Sequence, residues 1–183
     1  ASTDPTSSTE REARNAAVAE DAATQGMVLL DNAKDVLPIA KTGKIALYGT
    51  GVYNTVKGGT GSGDVYLKSG SDWSVLTAFN KAGYEVVNQD FLAERKAYAA
   101  ANGGQEDIYD VAEVNTAATQ SDTAVFVISR TSAENADRKA EKGDYYLSDS
   151  EAKNLAIVAS AYQKVVVVMN VGGVIDTNFY HGK

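Results

Sequence analysis

The residues of this sequence that are best suited to chemistry lie in one charged loop. Glu134 stands in this loop with Asp137 and Arg138, directly after a run of apolar residues. The loop extends from Ser129 to Asp149, whereas most loops in compact domains are shorter than about 12 residues, and longer ones are usually functional or disordered. Charges of both signs argue against disorder. A glutamate here could exchange a proton with a ligand, although a single acidic residue in a mixed-charge loop is usually solvated surface.

Strand and helix signals alternate along the rest of the chain. Apolar runs typical of buried strands stand at 44–48, at 84–87, at 123–128 and from 164 onward. Helical patterns stand at 10–25, 73–79, 108–118 and from 148, with a helical excursion or surface insertion at 91–104. This alternation predicts an α/β fold in which helices cover both faces of an open, mostly parallel sheet. Ligands of such sheets bind at the carboxyl ends of the strands, where the charged loop must lie.

Local signals fix several helix starts. Capping boxes at Thr9 and at Ser148 predict the starts of the first and last helices. Ser71 or Asp72 is expected to cap the helix around Trp73. We expect the indole of Trp73 to lie in the core of the domain rather than to stack on a sugar.

The last apolar run of the chain indicates that the predicted sheet continues beyond it. Val165–Met169 is apolar at consecutive positions, the pattern of a strand that is buried on both faces, and fourteen residues follow it. Such a strand should not form a bare sheet edge. Either 174–179 folds back over it, or a neighbouring strand comes from a second chain or from sequence outside this one. We favour the last explanation.

Composition excludes several classes of function. The net charge of -7 and the pI of about 4.7 argue against nucleic acid and anionic membrane surfaces as partners. The chain has no cysteine and one histidine, His181, so we expect neither a metal site nor a cofactor. No apolar run approaches the ~18 residues of a membrane span. Residues 1–9 form a polar lead or linker and 10–183 the domain, and composition assigns no compartment.

A glycine-dense segment, 49–63, should form a shaped rim beside the first strand, because glycine permits positive φ and close approach to a ligand. Its start, G-T-G-V-Y-N, invites comparison with dinucleotide-binding loops. However, Asn54 occupies the sixth position and no helix signal follows directly, so the context that such a loop requires is missing. Nucleotide binding is therefore the weakest alternative.

Five segments, taken together and in order, resemble the α/β sandwich domain of family 3 glycoside hydrolases, the β-glucosidase type. They are A-A-T-Q-G-M-V-L-L-D-N with L-P-I at 22–39, K-G-G-T-G-S-G-D at 57–64, V-I-S-R-T-S-A-E-N-A-D-R-K at 127–139, K-G-D-Y-Y-L-S-D at 142–149 and V-V-V-V-M-N-V-G-G-V-I-D at 165–176. The resemblance implies an (α/β)6-sandwich that is incomplete at its C-terminal end. It also implies a partner, the (β/α)8 barrel domain of the same enzyme, which would carry the nucleophilic aspartate.

The resemblance also implies roles for particular residues. Glu134 corresponds to the general acid/base, and Ser62 with the adjacent Gly61 to contacts with the bound sugar. Asp137 and Arg138 would hold the loop, and Arg138 should not pair with Glu134, since a nearby cation would weaken the acid. The substrate would be a β-linked glucoside or oligosaccharide, cleaved with retention. The isolated chain is expected to be inactive.

A second class of function remains open beside this one. The family pattern has glycines where this sequence has Ala133 and Asn135. These two departures favour a non-catalytic carbohydrate-binding or interaction module that kept the sandwich and lost the chemistry.

Overall fold

A computed structural model describes residues 9–64, 73–132, 134 and 137–180. These residues form five α-helices, four β-strands and two single-turn 3₁₀ helices. The α-helices are α1 (Glu10–Gly26), α2 (Val75–Lys81), α3 (Gln89–Ala101), α4 (Val111–Ala118) and α5 (Asp149–Ala161). The strands are β1 (Gly43–Tyr48), β2 (Tyr84–Val86), β3 (Thr123–Arg130) and β4 (Lys164–Val171), and the 3₁₀ turns are Thr50–Val52 and Gly61–Gly63.

The four strands form one parallel sheet in the order β2-β1-β3-β4. Parallel strands need crossover connections, and the helices between them supply these connections. All four carboxyl ends consequently lie at one edge of the sheet. The predicted α/β class and parallel sheet are confirmed.

Alternate residues of the central strands pack on opposite faces of the sheet, as the period of two in a β-strand requires. On one face, Tyr48 and Phe126 pack with Val114 of α4 and Val158 of α5. The other face carries a second core, in which Leu47 and Val127 of the sheet pack with Leu92 of α3 and Phe79 of α2. Helices therefore cover both faces, as predicted.

The helix starts agree with the sequence where the signal is local, and differ at one helix. Capping boxes at Thr9 and Ser148 begin α1 and α5 as predicted. Ser74, not the predicted Ser71 or Asp72, caps α2; those two residues lie outside the described ranges. Trp73 precedes the first turn and is 57% exposed, so its predicted place in the core is wrong.

β4 is the edge strand of the described sheet. Its consecutive apolar residues contact both cores, Val165 and Val167 on one face and Val166 on the other, but most remain partly exposed. The segment 174–179 packs Ile175 and Phe179 against one face and does not pair with the outer edge. The first alternative, in which 174–179 covers this edge, is therefore wrong for the described residues. A neighbouring strand from sequence outside this chain stays a prediction.

The N-terminal segment is the most exposed part of the described chain. α1 has no buried residue, and the following apolar residues Met27–Leu30 are each more than half exposed. No helix within the described ranges has the length and apolar content needed to cross a bilayer.

Candidate functional site

The glycine-dense segment, called here the glycine loop (49–63), crosses closely over the end of β3. Gly49 has a φ of +87°, and a Cβ on it would lie 2.3 Å from the carbonyl oxygen of Val127. A Cβ on Gly51 would lie 2.5 Å from Ser129 Oγ. Contacts of this kind exclude any side chain, so the loop must start with glycines to reach the sheet edge.

Asn170, near the end of β4, fixes the middle of the glycine loop. Its Oδ1 accepts a hydrogen bond from the Val56 amide (2.6 Å) and its Nδ2 donates to the Val56 carbonyl (3.1 Å). The same Oδ1 also accepts from Ser129 Oγ at 3.1 Å. One side chain thus joins the loop, β3 and β4. Sequence reasoning missed it, although a polar residue that interrupts a valine-rich strand is a visible signal.

Replacing Asn170 with alanine is expected to lower the free energy of unfolding by about 1–3 kcal/mol, because the Val56 amide and carbonyl lose their partners in a partly buried position. Urea titration measures the change. Asn178→Ala, which removes an exposed amide bonded to Asp176, is the matched control and should change stability by less than about 0.5 kcal/mol. Equal effects of the two substitutions would show that Asn170 is not a tether.

The loop after β3, called here the acid loop (131–148), is joined to the glycine loop by its backbone. The Thr60 amide donates to the Ser132 carbonyl at 3.1 Å. Ser132 Oγ in turn donates to the carbonyl of Gly172, beyond the end of β4. The two loops therefore meet at the carboxyl edge of the sheet, although they lie about 70 residues apart in sequence.

Glu134 and Ser62 face each other across this junction. Glu134 Oε2 accepts from Ser62 Oγ at 3.0 Å and from the Ser62 amide at 3.4 Å. Both residues are exposed. Gly61 has a φ of +67°, and a Cβ there would lie 3.0 Å from Glu134 Oε2. The structure thus brings together the three residues singled out in sequence; Ala133 and Asn135 lie outside the described residues.

Arg138 holds the acid loop through contacts of its own. Its guanidinium pairs with Asp144 at 2.6 Å and donates to the Thr131 carbonyl at 3.0 Å. The Lys139 amide and Arg138 both donate to Asp144, and together they lower the pKa of its carboxyl. Within the described residues Arg138 does not pair with Glu134. Asp137 is exposed and bonds to no described side chain, so its supporting role stays a prediction.

A buried ion pair clamps both ends of the acid loop. Arg130, the last residue of β3, makes two bonds to the carboxylate of Glu151 in α5, at 2.7 and 2.6 Å. It also donates to the Asp144 carbonyl at 3.0 Å. Glu151 accepts from the Ser148 amide, so the same carboxylate caps α5. Sequence analysis did not pair Arg130 with Glu151, because the two residues lie 21 positions apart.

A cleft of about 390 Å³ lies beside the junction of the two loops. Its walls include Lys57 and Thr60 of the glycine loop, Asp64 directly after that loop, Thr131 of the acid loop, and the exposed Trp73. One face of the Trp73 ring is covered by the Lys81 ammonium at 4.1 Å. Acidic residues of the described ranges form no group suited to hold a metal ion.

Comparison with known proteins identifies the family. Residues 27–183 match the model of the glycosyl hydrolase family 3 C-terminal domain. The chain belongs to this family. It is 35% identical to β-glucosidase A of Butyrivibrio fibrisolvens over 87% of the chain, and 34% identical to a β-glucosidase of Ruminococcus albus over 85%. The family 3 chain spans only 23% and 17% of those two relatives.

Solved structures agree with this assignment. The family 3 chain superposes on β-glucosidase 3B from Thermotoga neapolitana in complex with α-D-glucose with a TM-score of 0.80, at 31% identity, over 94% of this chain and 26% of that one. A β-glucosidase from Paenibacillus barengoltzii gives a TM-score of 0.79 at 27% identity, over 91% of this chain and 19% of that one. The predicted family and fold are confirmed. The chain corresponds to one domain of β-glucosidase-like enzymes.

Proposed function

We propose that this domain supplies the general acid/base, Glu134, and a sugar contact, Ser62, to a retaining β-glycosidase whose nucleophile lies on a barrel domain. The observation that carries the proposal is the contact between Glu134 Oε2 and Ser62 Oγ at the carboxyl edge of a parallel sheet. A carboxylate and a hydroxyl presented together from two loops can address two atoms of one bound sugar. The β-glucosidase names of the relatives support a glucoside as substrate.

Glu134 acts first as an acid and then as a base. Protonated Glu134 donates its proton to the glycosidic oxygen as the bond from that oxygen to the anomeric carbon breaks, while the nucleophilic carboxylate bonds to that carbon. The Glu134 carboxylate then takes a proton from water as the water attacks the glycosyl ester. This step releases the sugar, frees the nucleophilic carboxylate and leaves Glu134 protonated for the next cycle. Retaining enzymes place these two carboxyl groups about 5–5.5 Å apart.

The exposure of Glu134 fits this double role. A side chain that must meet a second domain cannot be buried in its own domain. Closing of the barrel over the rim would remove water from the carboxyl group and favour its protonated form, which the first step requires. Arg138 would leave this form undisturbed, because its guanidinium is engaged by Asp144 and Thr131.

The isolated chain is expected to show no hydrolysis of an aryl β-glucoside above the rate of the buffer, because it would hold one of the two required carboxylates. The measurement is the release of the phenol at high protein concentration. Turnover by the chain alone that disappears in a Glu134→Ala variant would contradict the division of the site between two domains.

The exposed Trp73 beside the cleft favours a second candidate, a carbohydrate-binding module without catalysis. Aromatic rings at a cleft can stack on sugars, and Trp73 is the only tryptophan of the chain, so its fluorescence reports on this cleft. Titration with glucose or cellobiose separates the candidates. A binding module should change its fluorescence in the isolated state, whereas half of a catalytic site should not.

A further inference from the structure

A cluster of buried polar side chains lies beneath the start of the glycine loop, away from Glu134. It contains Tyr53 of the loop, Arg95 of α3, Glu106 and Tyr109 before α4, and Asn154 of α5. Within the described ranges, the buried side-chain polar atoms without a hydrogen-bond partner are Tyr53 Oη, Arg95 Nε and Glu106 Oε2. All three belong to this one cluster. Unsatisfied buried groups are rare in native proteins and call for an explanation.

A directed chain of hydrogen bonds leads from the glycine loop into the cluster. The Gly49 amide donates to Tyr109 Oη at 2.9 Å, and Tyr109 Oη donates its own proton to Glu106 Oε1. The backbone of Tyr109 is fixed as well, because its amide donates to Asn154 Oδ1 at 2.9 Å. The Asn154 side chain is fully buried. Because the Tyr109 hydroxyl donates to Glu106, Glu106 sets the orientation of that hydroxyl. Glu106 thereby sets the position of the oxygen that accepts from the Gly49 amide.

We propose that Glu106 is a proton-binding residue that positions the start of the glycine loop, acting through Tyr109 on the Gly49 amide and through its charge on Tyr53. Neither Glu106 nor Tyr109 lies in the junction of Glu134 and Ser62. Glu106 acts on the glycine loop itself, whether or not the domain takes part in hydrolysis.

The surroundings of Glu106 make its charge state sensitive to pH near neutrality. Burial raises the pKa of Glu106 to about 7, against hydrogen bonds from Tyr109 and Asn154 that lower it; the Glu151 carboxylate raises it and the Arg95 guanidinium lowers it. Arg95 is shared among other carboxylates, with Asp107 at 3.2 Å, Glu94 at 3.7 Å and Glu113 at 3.8 Å. The cation is thus only partly available to a charged Glu106.

The consequence for the loop follows from the position of the charge. When Glu106 loses its proton, a negative charge appears in a buried site beside the Tyr53 and Tyr109 hydroxyls. Burial and the coulombic influence of Glu106 raise the pKa of both tyrosines, which therefore remain neutral donors. Both hydroxyls are then drawn toward the charged carboxylate. The Tyr109 oxygen is also the acceptor for the Gly49 amide. Its displacement therefore changes the hydrogen bond that holds the start of the glycine loop.

The raised pKa of Glu106 also makes the stability of the fold depend on pH. The folded-state pKa of Glu106 lies above the value of about 4.5 for a free glutamate, so the folded state binds more protons between the two values. Its contribution to stability is fully present below pH 4.5 and is lost as the pH rises through 7. A Glu106→Gln substitution, which preserves the shape of the neutral acid and cannot ionise, should remove this pH dependence.

The test is an NMR titration of the amide resonances of this chain between pH 5 and pH 9. In the wild type, the Gly49 and Tyr53 amides should shift with a common midpoint near pH 7. The Leu47 amide serves as an internal control, because it donates to Asn88 Oδ1 at 3.0 Å and has no bond to the cluster. In Glu106→Gln, the shifts of Gly49 and Tyr53 should disappear while Leu47 stays unchanged.

A second variant tests whether Glu106 acts on Gly49 through Tyr109 or only through the stability of the whole fold. Tyr109→Phe removes the link between Glu106 and Gly49 but leaves the buried carboxyl in place. The Glu106 carboxyl carbon should still titrate in this variant, and the Gly49 amide should no longer follow it. Wild-type Gly49 and Tyr53 amides that do not move between pH 5 and pH 9, or that titrate unchanged in Glu106→Gln, would overturn the inference. That result would leave the role of Glu134 untouched.

Discussion

Replacing Glu134 with alanine in a family 3 enzyme that contains this domain is expected to lower kcat by about 10²–10⁴-fold for glucosides with poor leaving groups, the range typical of general acid–base catalysis. Such leaving groups depart only when they are protonated. A dinitrophenyl glucoside needs no proton for departure, so its first step should proceed, and the glycosyl ester should accumulate because no base activates water. Azide needs no base to attack that ester, and adding it should restore part of the turnover.

The control for this experiment is a second carboxylate of the same loop. Glu141 is exposed, and its side chain bonds to none of the described residues, so Glu141→Ala should keep kcat within about twofold, since surface substitutions of this kind are nearly neutral. The dependence on leaving group and the response to azide distinguish a lost acid/base from a distorted loop. A Glu134→Ala enzyme with wild-type kcat on a poor leaving group would remove Glu134 from the mechanism.

Replacing Arg130 with methionine is expected to lower the free energy of unfolding by about 3–5 kcal/mol, the usual cost of removing one partner of a buried ion pair. The Arg130 and Glu151 side chains are only about one-tenth exposed, so the substitution leaves a carboxylate charge in the protein interior. The Asp144 carbonyl also loses its donor, which removes a second contact between the end of β3 and the acid loop. Urea unfolding of the isolated chain measures the change.

Two further variants test the origin of this loss. The pair of Lys142 with Asp149 is equally short, at 2.6 Å, but both side chains are mostly exposed, so Lys142→Ala should cost less than about 1 kcal/mol. Combining Arg130→Met with Glu151→Gln should recover part of the stability, because no charge then remains buried and the amide oxygen can still accept from the Ser148 amide. A loss below about 1 kcal/mol in Arg130→Met would contradict the description of this pair as a structural clamp.

The parts of the fold that the sequence predicts are those with local signals. Capping boxes at Thr9 and Ser148 involve residues three positions apart, and both form as predicted. The position of Trp73 could not be derived in this way, because an apolar residue just before a helix has the same spacing as one within its first turn. The valine run of β4 is ambiguous for a related reason. A run of apolar residues indicates that both faces of the strand contact a core, but it does not indicate whether another strand pairs with its outer edge.

The residues of the site also divide into those with a local sequence signal and those without one. Glu134, Ser62 and Gly61 could be proposed because motif resemblance refers to short segments, and the structure brings these three residues together. Asn170, Arg130 and Glu106 act through partners that are distant in sequence or through burial. No short pattern records such pairings, so only the folded structure reveals them. The roles of the first three residues in catalysis stay predictions.

The outer edge of β4 has a practical consequence for handling this chain. On that side, the backbone amides and carbonyls of the strand find no partner strand among the described residues. Valine at four consecutive positions, without proline, is a sequence well suited to adding another strand. Concentrated samples of the isolated chain therefore carry a built-in tendency to associate edge to edge. A lysine in place of the exposed Val168 is the simplest way to suppress that tendency without disturbing either core.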